Sequence, residues 1–277
     1  MVDPFRTRDH VPDFDRHVAA YATRSTATRA RLRMRADLAY GPSPAERLDL
    51  FFPPQGASGA VHLFIHGGYW RMFAKEDFSF VAETVTQAGA IAVIIDYALM
   101  PAVRMETVVG QVRRARDWIA RHIGEHGGDP ARLTVSGHSA GAHLAALLFD
   151  DRQPAALDGV LLLSGLYDLA PLQASFLKDL IALTDAEVAR FSPLGRVYGT
   201  GPRVDPRVEL LVGEHETPPF HAQADAFAAH LAGAGLMAER STMEGADHMS
   251  IIADLGTPGT PTARRLARLL TGPHLVP

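Results

Sequence analysis

Five short apolar runs, each set off from the next by a polar or amphipathic stretch, constrain this chain more than any other feature. They are VHLFI at 61–65, AIAVII at 90–95, LTVSG at 133–137, VLLLSG at 160–165 and VELLVG at 208–213. None has a consistently polar face, and most are rich in β-branched residues, which is the pattern of strands covered on both sides in a parallel sheet. Helical patterns fill the intervals at 77–88, 104–123, 140–149 and 220–234, and a last helix is expected near 260–270. Within 104–123, Val108, Val109, Val112, Ala115, Trp118 and Ile119 recur at helical spacing and form a stripe suited to lie on a sheet.

The ends of the pattern differ from its middle. A helix is expected at about 13–28, followed by two alternating strands at 31–38 and 47–52 around the turn-rich GPSPAE, and a further strand at 236–243. The alternation of Arg31, Arg33 and Arg35 with Leu32, Met34 and Ala36 describes a strand with one wet face. The arginine-rich stretch between Asp15 and Asp37 therefore reads as a helix and an edge strand rather than a transit peptide. The fold class is α/β: one domain over 1–277, with a mostly parallel, doubly wound sheet whose first strands are antiparallel and helices on both faces. Residues 167–205 interrupt the alternation, with short helices expected near 173–182 and from Thr184, where Thr184 and Glu187 make a capping box. An insertion there would form a small lid above the carboxyl ends of the strands, where open α/β sheets bind ligands.

Composition removes several classes of function. A formal charge of −4 offers no footprint for nucleic acid or an anionic membrane, and the apolar runs are too short to span a bilayer. The chain has no cysteine, which excludes disulfides, thiolate metal sites and a cysteine nucleophile and fits a reducing cytoplasm. The expected partner is a small-molecule substrate, and a homodimer is the one protein assembly left open.

Gly137-His138-Ser139-Ala140-Gly141 carries the chemistry. A strand runs directly into this G-x-S-x-G and a helix leaves it, so the turn between them presents Ser139 as a nucleophile above the helix N-terminus. Upstream, His66-Gly67-Gly68-Tyr69-Trp70 follows a strand. Its glycines let amides approach a substrate closely, and Gly68, Tyr69 and Ala140 are the expected oxyanion donors. Tyr69 and Trp70 are the expected substrate-binding residues, able to stack on an aromatic group.

The base should lie late in the chain, and His248, in the loop after the last strand, is the candidate; His215 and His221 come too early, and His274 sits in the tail. Three acids stand near strand ends: Glu216, Asp168 and Asp247. Asp247 adjoins His248, so its side chain points away, and the loop after the later strand favours Glu216 over Asp168. No metal is expected, since His138 and His143 are five apart and no H-E-x-x-H occurs. Without a phosphate loop or G-x-G-x-x-G, no nucleotide cofactor is expected either.

Together these residues resemble the kynurenine formamidase (arylformamidase) family of α/β-hydrolases, which has H-G-G-x-W where this chain has His66 to Trp70. YGPSPAERLDLFFP, GHSAGAHLAALL, SGLYDLAPL and GEHETPPFHAQADAF extend the likeness from about 37 to 255. The resemblance implies an aryl formamidase acting through Ser139, Glu216 and His248, with a short-chain carboxylesterase as the alternative and, more remotely, a non-catalytic binding module on a hydrolase scaffold. The family's animal members usually carry aspartate where Glu216 stands, and the extra methylene requires a shifted loop or ring.

Overall fold

The computed structural model describes residues 2–149, 157–198 and 206–271. Helix α1 (Phe14–Arg31) precedes the hairpin of β1 (Met34–Ala39) and β2 (Arg47–Phe51). The chain then alternates through β3 (Val61–Ile65), α2 (Ala82–Gln87), β4 (Ile91–Ile95), α3 (Met105–His122), β5 (Leu133–His138), α4 (Ala140–Ala146) and β6 (Gly159–Leu163). Two short helices, α5 (Lys178–Ile181) and α6 (Asp185–Phe191), lie before β7 (Arg207–Gly213). Helix α7 (Pro218–Gly233), β8 (Ala238–Met243), α8 (Ser250–Leu255) and α9 (Pro261–Thr271) complete it. The eight strands among the described residues form one sheet in the order β1-β2-β4-β3-β5-β6-β7-β8. The β1–β2 and β2–β4 pairs are antiparallel and every later pair is parallel.

Alternation along the central strands divides the core into two layers. Leu63, Ile65, Val93 and Val135 pack with Val108 and Val112 of α3, Leu144 of α4 and Phe227 of α7. On the opposite face Phe64, Ile94 and Leu161 meet Tyr21 of α1, Val85 of α2, Ile252 of α8 and Leu266 of α9. A strand sandwiched in this way has no wet side, which explains why β3, β4 and β6 are buried throughout. The α3 stripe packs on the sheet, with Val108, Val109, Val112, Ala115 and Ile119 buried and Trp118 partly buried against the same core.

Local chemistry moves several boundaries. Helix α1 continues to Arg31 because Leu32 N–H still bonds to Thr28 O at 2.9 Å, so β1 starts later than its alternation indicates. Arg31, Arg33 and Arg35 nevertheless face water while Leu32 is buried. The helix expected at 77–88 opens as a tighter 3₁₀ turn over Lys75–Val81, where Asp77 accepts from Ala74 N–H at 2.9 Å. Helix α8 carried no separate sequence signal, being six residues in a loop that follows the last strand. In the insertion, Thr184 and Glu187 close the expected capping box on α6. The lid region expected at 167–205 and the tail holding His274 extend past the described residues. Among the described residues no helix is long and apolar enough to cross a membrane.

Candidate active site

The carboxyl ends of five adjacent or near-adjacent parallel strands deliver the chemistry to one edge of the sheet. Gly67 and Gly68 follow β3, Ser139 follows β5, Ser164 follows β6, Glu216 follows β7 and His248 follows β8.

Ser139 takes φ 55° and ψ −119°, a left-handed conformation that strains a residue with a side chain. The flanking glycines make this turn sterically feasible. A Cβ on Gly137 would stand 2.2 Å from Gly141 O, and one on Gly141 would stand 2.0 Å from Ile65 O. Strand, turn and helix are therefore pressed together with no room for a methyl group.

Peptide planarity shows how the three expected oxyanion donors are aimed, because in a trans peptide the N–H points opposite to the preceding carbonyl. His66 Nδ1–H donates to Gly67 O at 2.8 Å, which orients the Gly68 N–H the other way. Gly68 O accepts from Arg71 N at 3.0 Å and Met72 N at 3.1 Å, orienting the Tyr69 N–H. Ser139 O accepts from Ala142 and His143 in the first turn of α4, orienting the Ala140 N–H away from the helix. Among the described residues none of these three amides donates to a protein acceptor. Gly67 lies against the elbow, where a Cβ would stand 3.2 Å from Ser139 Cβ.

His248 and Glu216 meet as the argument from strand ends requires. His248 Nδ1–H donates to Glu216 Oε2 at 2.7 Å, and both side chains are buried. This leaves His248 Nε2 as an acceptor. The other carboxylate oxygen, Oε1, accepts from Gly213 N–H at 2.8 Å and from the Ser164 hydroxyl. A second tie comes from His138, whose Nε2–H donates to His248 O at 2.8 Å. Burial, then the neighbouring His248, holds His138 well below the ordinary imidazole range, so it stays neutral and anchors the His248 loop to the residue before Ser139.

The other two acids do not reach the ring. Asp168 Oδ1 accepts from Ala170 N–H at 2.9 Å, a local turn. Asp247 Oδ1 accepts from the amides of Met249 and Ser250 at 2.8 and 2.7 Å, which turns it toward α8.

Ser139 and His248 border one cavity of about 270 Å³, together with Gly68 and Tyr69. Tyr69 lies on its wall, its hydroxyl donating to Phe5 O and its ring edge-on to Phe176 at 5.5 Å. Trp70 does not belong there, contrary to the expectation from its position in the motif. Its indole is fully buried beneath the loop, with Nε1 donating to His143 Nδ1 at 3.2 Å. His143 passes the contact on, Nε2–H donating to Phe191 O at 2.8 Å. Trp70 thus packs the loop after β3 onto α4 and the insertion.

Several cavity residues carried no sequence signal. Arg6, Thr7 and Arg8 come from the segment before α1, and Phe176 and Leu180 come from the insertion. The first segment is strapped down by Thr217 Oγ1 donating to Pro4 O at 2.7 Å and by Phe5 against Phe220. Ser164, which steadies Glu216, was equally silent; a serine just past a buried strand is the only trace.

The comparisons with known proteins agree with this geometry. Residues 62–252 match the family model for the alpha/beta hydrolase fold. The chain is 29% identical over 249 residues to a kynurenine formamidase of Danio rerio, covering 86% of this chain and 83% of that one. It is 25% identical over 234 residues to the kynurenine formamidase of Drosophila melanogaster, covering 80% and 77%. Over a shorter stretch, 40% of this chain and 28% of the relative, it is 35% identical to Esterase LipQ of Mycobacterium tuberculosis. A crystal structure from Silicibacter sp. TM1040, provisionally named a thioesterase, superposes with a TM-score of 0.84 at 25% identity over 98% of both chains. With Ser139 on a glycine-flanked elbow, an acid-paired histidine at the same cavity and this match over most of its length, the chain belongs to the α/β-hydrolase family and is a kynurenine formamidase-like hydrolase.

Proposed function

We propose that the protein is a serine hydrolase that removes a small acyl group, formyl above all, from an aromatic amine. Ser139 Oγ attacks the scissile carbonyl carbon while His248 Nε2 takes the hydroxyl proton. Glu216 holds the ring and balances the imidazolium charge. The amides of Gly68, Tyr69 and Ala140 receive the oxyanion. Collapse breaks the C–N bond, and His248 returns its proton to the leaving nitrogen. Water then attacks the formyl-serine by the reverse route, releasing formate and restoring the serine. A cysteine-free, weakly acidic sequence supports the cytoplasm as the compartment in which this occurs.

The observation that carries this reading is the meeting of Ser139 and the Glu216-paired His248 at one small, aromatic-walled cavity. Its volume suits a compact substrate, and Tyr69, Phe73, Phe78 and Phe176 offer rings to an aryl group. The kynurenine formamidase relatives support the formyl group. The partial match to Esterase LipQ favours a second reading, a short-chain carboxylesterase.

The two separate on kcat/KM for N-formylkynurenine against acetyl, butyryl and octanoyl aryl esters, with the Ser139→Ala variant as the control that should lose all turnover. Formamide turnover within about a hundredfold of the best ester, a barrier gap of roughly 2.7 kcal/mol, supports the formamidase. No formamide turnover leaves the esterase, an octanoyl preference removes the small-acyl reading, and full activity in Ser139→Ala removes the nucleophile.

A further inference from the structure

Three arginines, and no aspartate or glutamate, are among the residues bordering the Ser139 cavity. Two of them are already neutralised at its rim. Arg6 lies 3.7 Å from Asp9 and over the Phe176 ring, and Arg8 lies 2.7 Å from Asp15 and over the Phe14 ring, with both guanidinium groups about half exposed.

Arg71 is different. It is half-buried, its Nε is enclosed without an acceptor, and its guanidinium has no hydrogen-bond or ion-pair partner among the described residues. Its place is set by the oxyanion loop itself, since its N–H donates to Gly68 O at 3.0 Å. An arginine cannot shed its proton to escape burial, so the charge persists. A partly buried, unpaired cation costs stability and contributes none to this fold.

We propose that Arg71 selects the substrate, receiving a carboxylate carried by the aromatic molecule whose scissile carbonyl sits at Ser139. This rests on the reading that the cavity binds the substrate. One guanidinium balances one negative charge and presents a planar fork that fits a carboxylate through two N–H groups, whereas a phosphate dianion would call for a second free cation. The rings of Tyr69, Phe73 and Phe78 would hold the apolar part. A neutral ester of the same size leaves Arg71 unpaired, and that difference is what discriminates.

Calorimetric titration at low ionic strength with phenylpropanoate and with phenylpropanol, neither of which has a bond to cleave, tests the assignment independently of turnover. The native protein should bind the acid at least about tenfold more tightly than the alcohol, a difference of about 1.4 kcal/mol. Arg71→Met and Arg71→Gln should bind the two alike, Arg71→Lys should keep part of the preference, and Arg6→Met and Arg8→Met should keep all of it. Equal binding by the native protein, no binding of either probe at millimolar concentration, a preference that survives Arg71→Met and Arg71→Gln, or one lost with Arg6 or Arg8 instead would each overturn the proposal. A protein that shows the preference but hydrolyses no formamide or ester would overturn the catalytic reading and leave this one standing.

Discussion

Replacing Glu216 by glutamine removes one charge and almost no volume. The new side chain can still accept from Gly213 N–H through the oxygen that now sits 2.8 Å away, so the loop should hold. What changes is the face toward His248. The carboxylate oxygen 2.7 Å from Nδ1 becomes an amide nitrogen, which donates and so moves the ring proton to Nε2, the atom that the proposed mechanism uses as a base. The lost charge can be sized. With charge centres about 4 Å apart and an effective dielectric of about 20, the pair is worth about 4 kcal/mol to the imidazolium that the proposed mechanism forms on deprotonating the serine. At 1.36 kcal/mol per decade this is about a thousandfold in kcat, and the wrong tautomer takes it toward about ten-thousandfold. KM should change little, because Glu216 does not border the cavity. The assay is initial-rate kinetics on a formyl anilide and an acetyl ester, with Asp168→Asn as the comparison. Among the described residues the Asp168 carboxylate accepts from Ala170 N–H alone, so that change should cost about 1 kcal/mol of stability or less and little activity. Retention of more than about a tenth of kcat in Glu216→Gln, or a larger loss in Asp168→Asn, would refute the reasoning.

Two further outcomes follow from the packing. Gly141→Ala should destabilise the protein by more than about 4 kcal/mol in urea titration, because its Cβ would meet Ile65 O at 2.0 Å and backbone cannot step aside; a variant of normal stability would contradict the elbow as described. Acid should unfold the protein early. Burial lowers His62 to about 3, His66 and His143 to about 4 and His138 well below its usual value, so the unfolded chain gains protons below pH 6.5 that the folded one refuses. Asp96, raised to about 6 by burial, opposes this, as do Asp77, Asp158, Glu209 and Asp254, whose carboxyls burial also raises. As pH falls from 7 the histidines act first, because their ordinary value of 6.5 lies above that of the carboxyls, so stability should fall by about 1.4 kcal/mol per pH unit for each net proton, and equal urea midpoints at pH 7 and 5 would exclude it.

What the chain alone determined was set by short-range rules. Runs such as AIAVII tolerate no wet face, the stripe from Val108 to Ile119 has one period, and a strand running into Gly-His-Ser-Ala-Gly has one turn that fits. Those rules were enough for the sheet, most of the helices and the turn that holds Ser139, and the order of strand ends ranked Glu216 over Asp168 as the candidate acid. Tertiary structure decided what depends on direction rather than spacing. Tyr69 and Trp70 are neighbours with left-handed backbones, yet one faces the cavity and the other turns into the core against His143. Glu216 reaches His248 in spite of its extra methylene because Ser164, from a different strand end, and Gly213 N–H hold its second oxygen. Arg6 and Arg8 reach the cavity because Phe5, Pro4 and Asp3 tie their segment to residues far along the chain, including Tyr69, Thr217 and Phe176. Contacts between residues so distant in sequence leave no period and no local motif, so only the folded chain can bring an unpaired Arg71 and an aromatic wall to the cavity at Ser139.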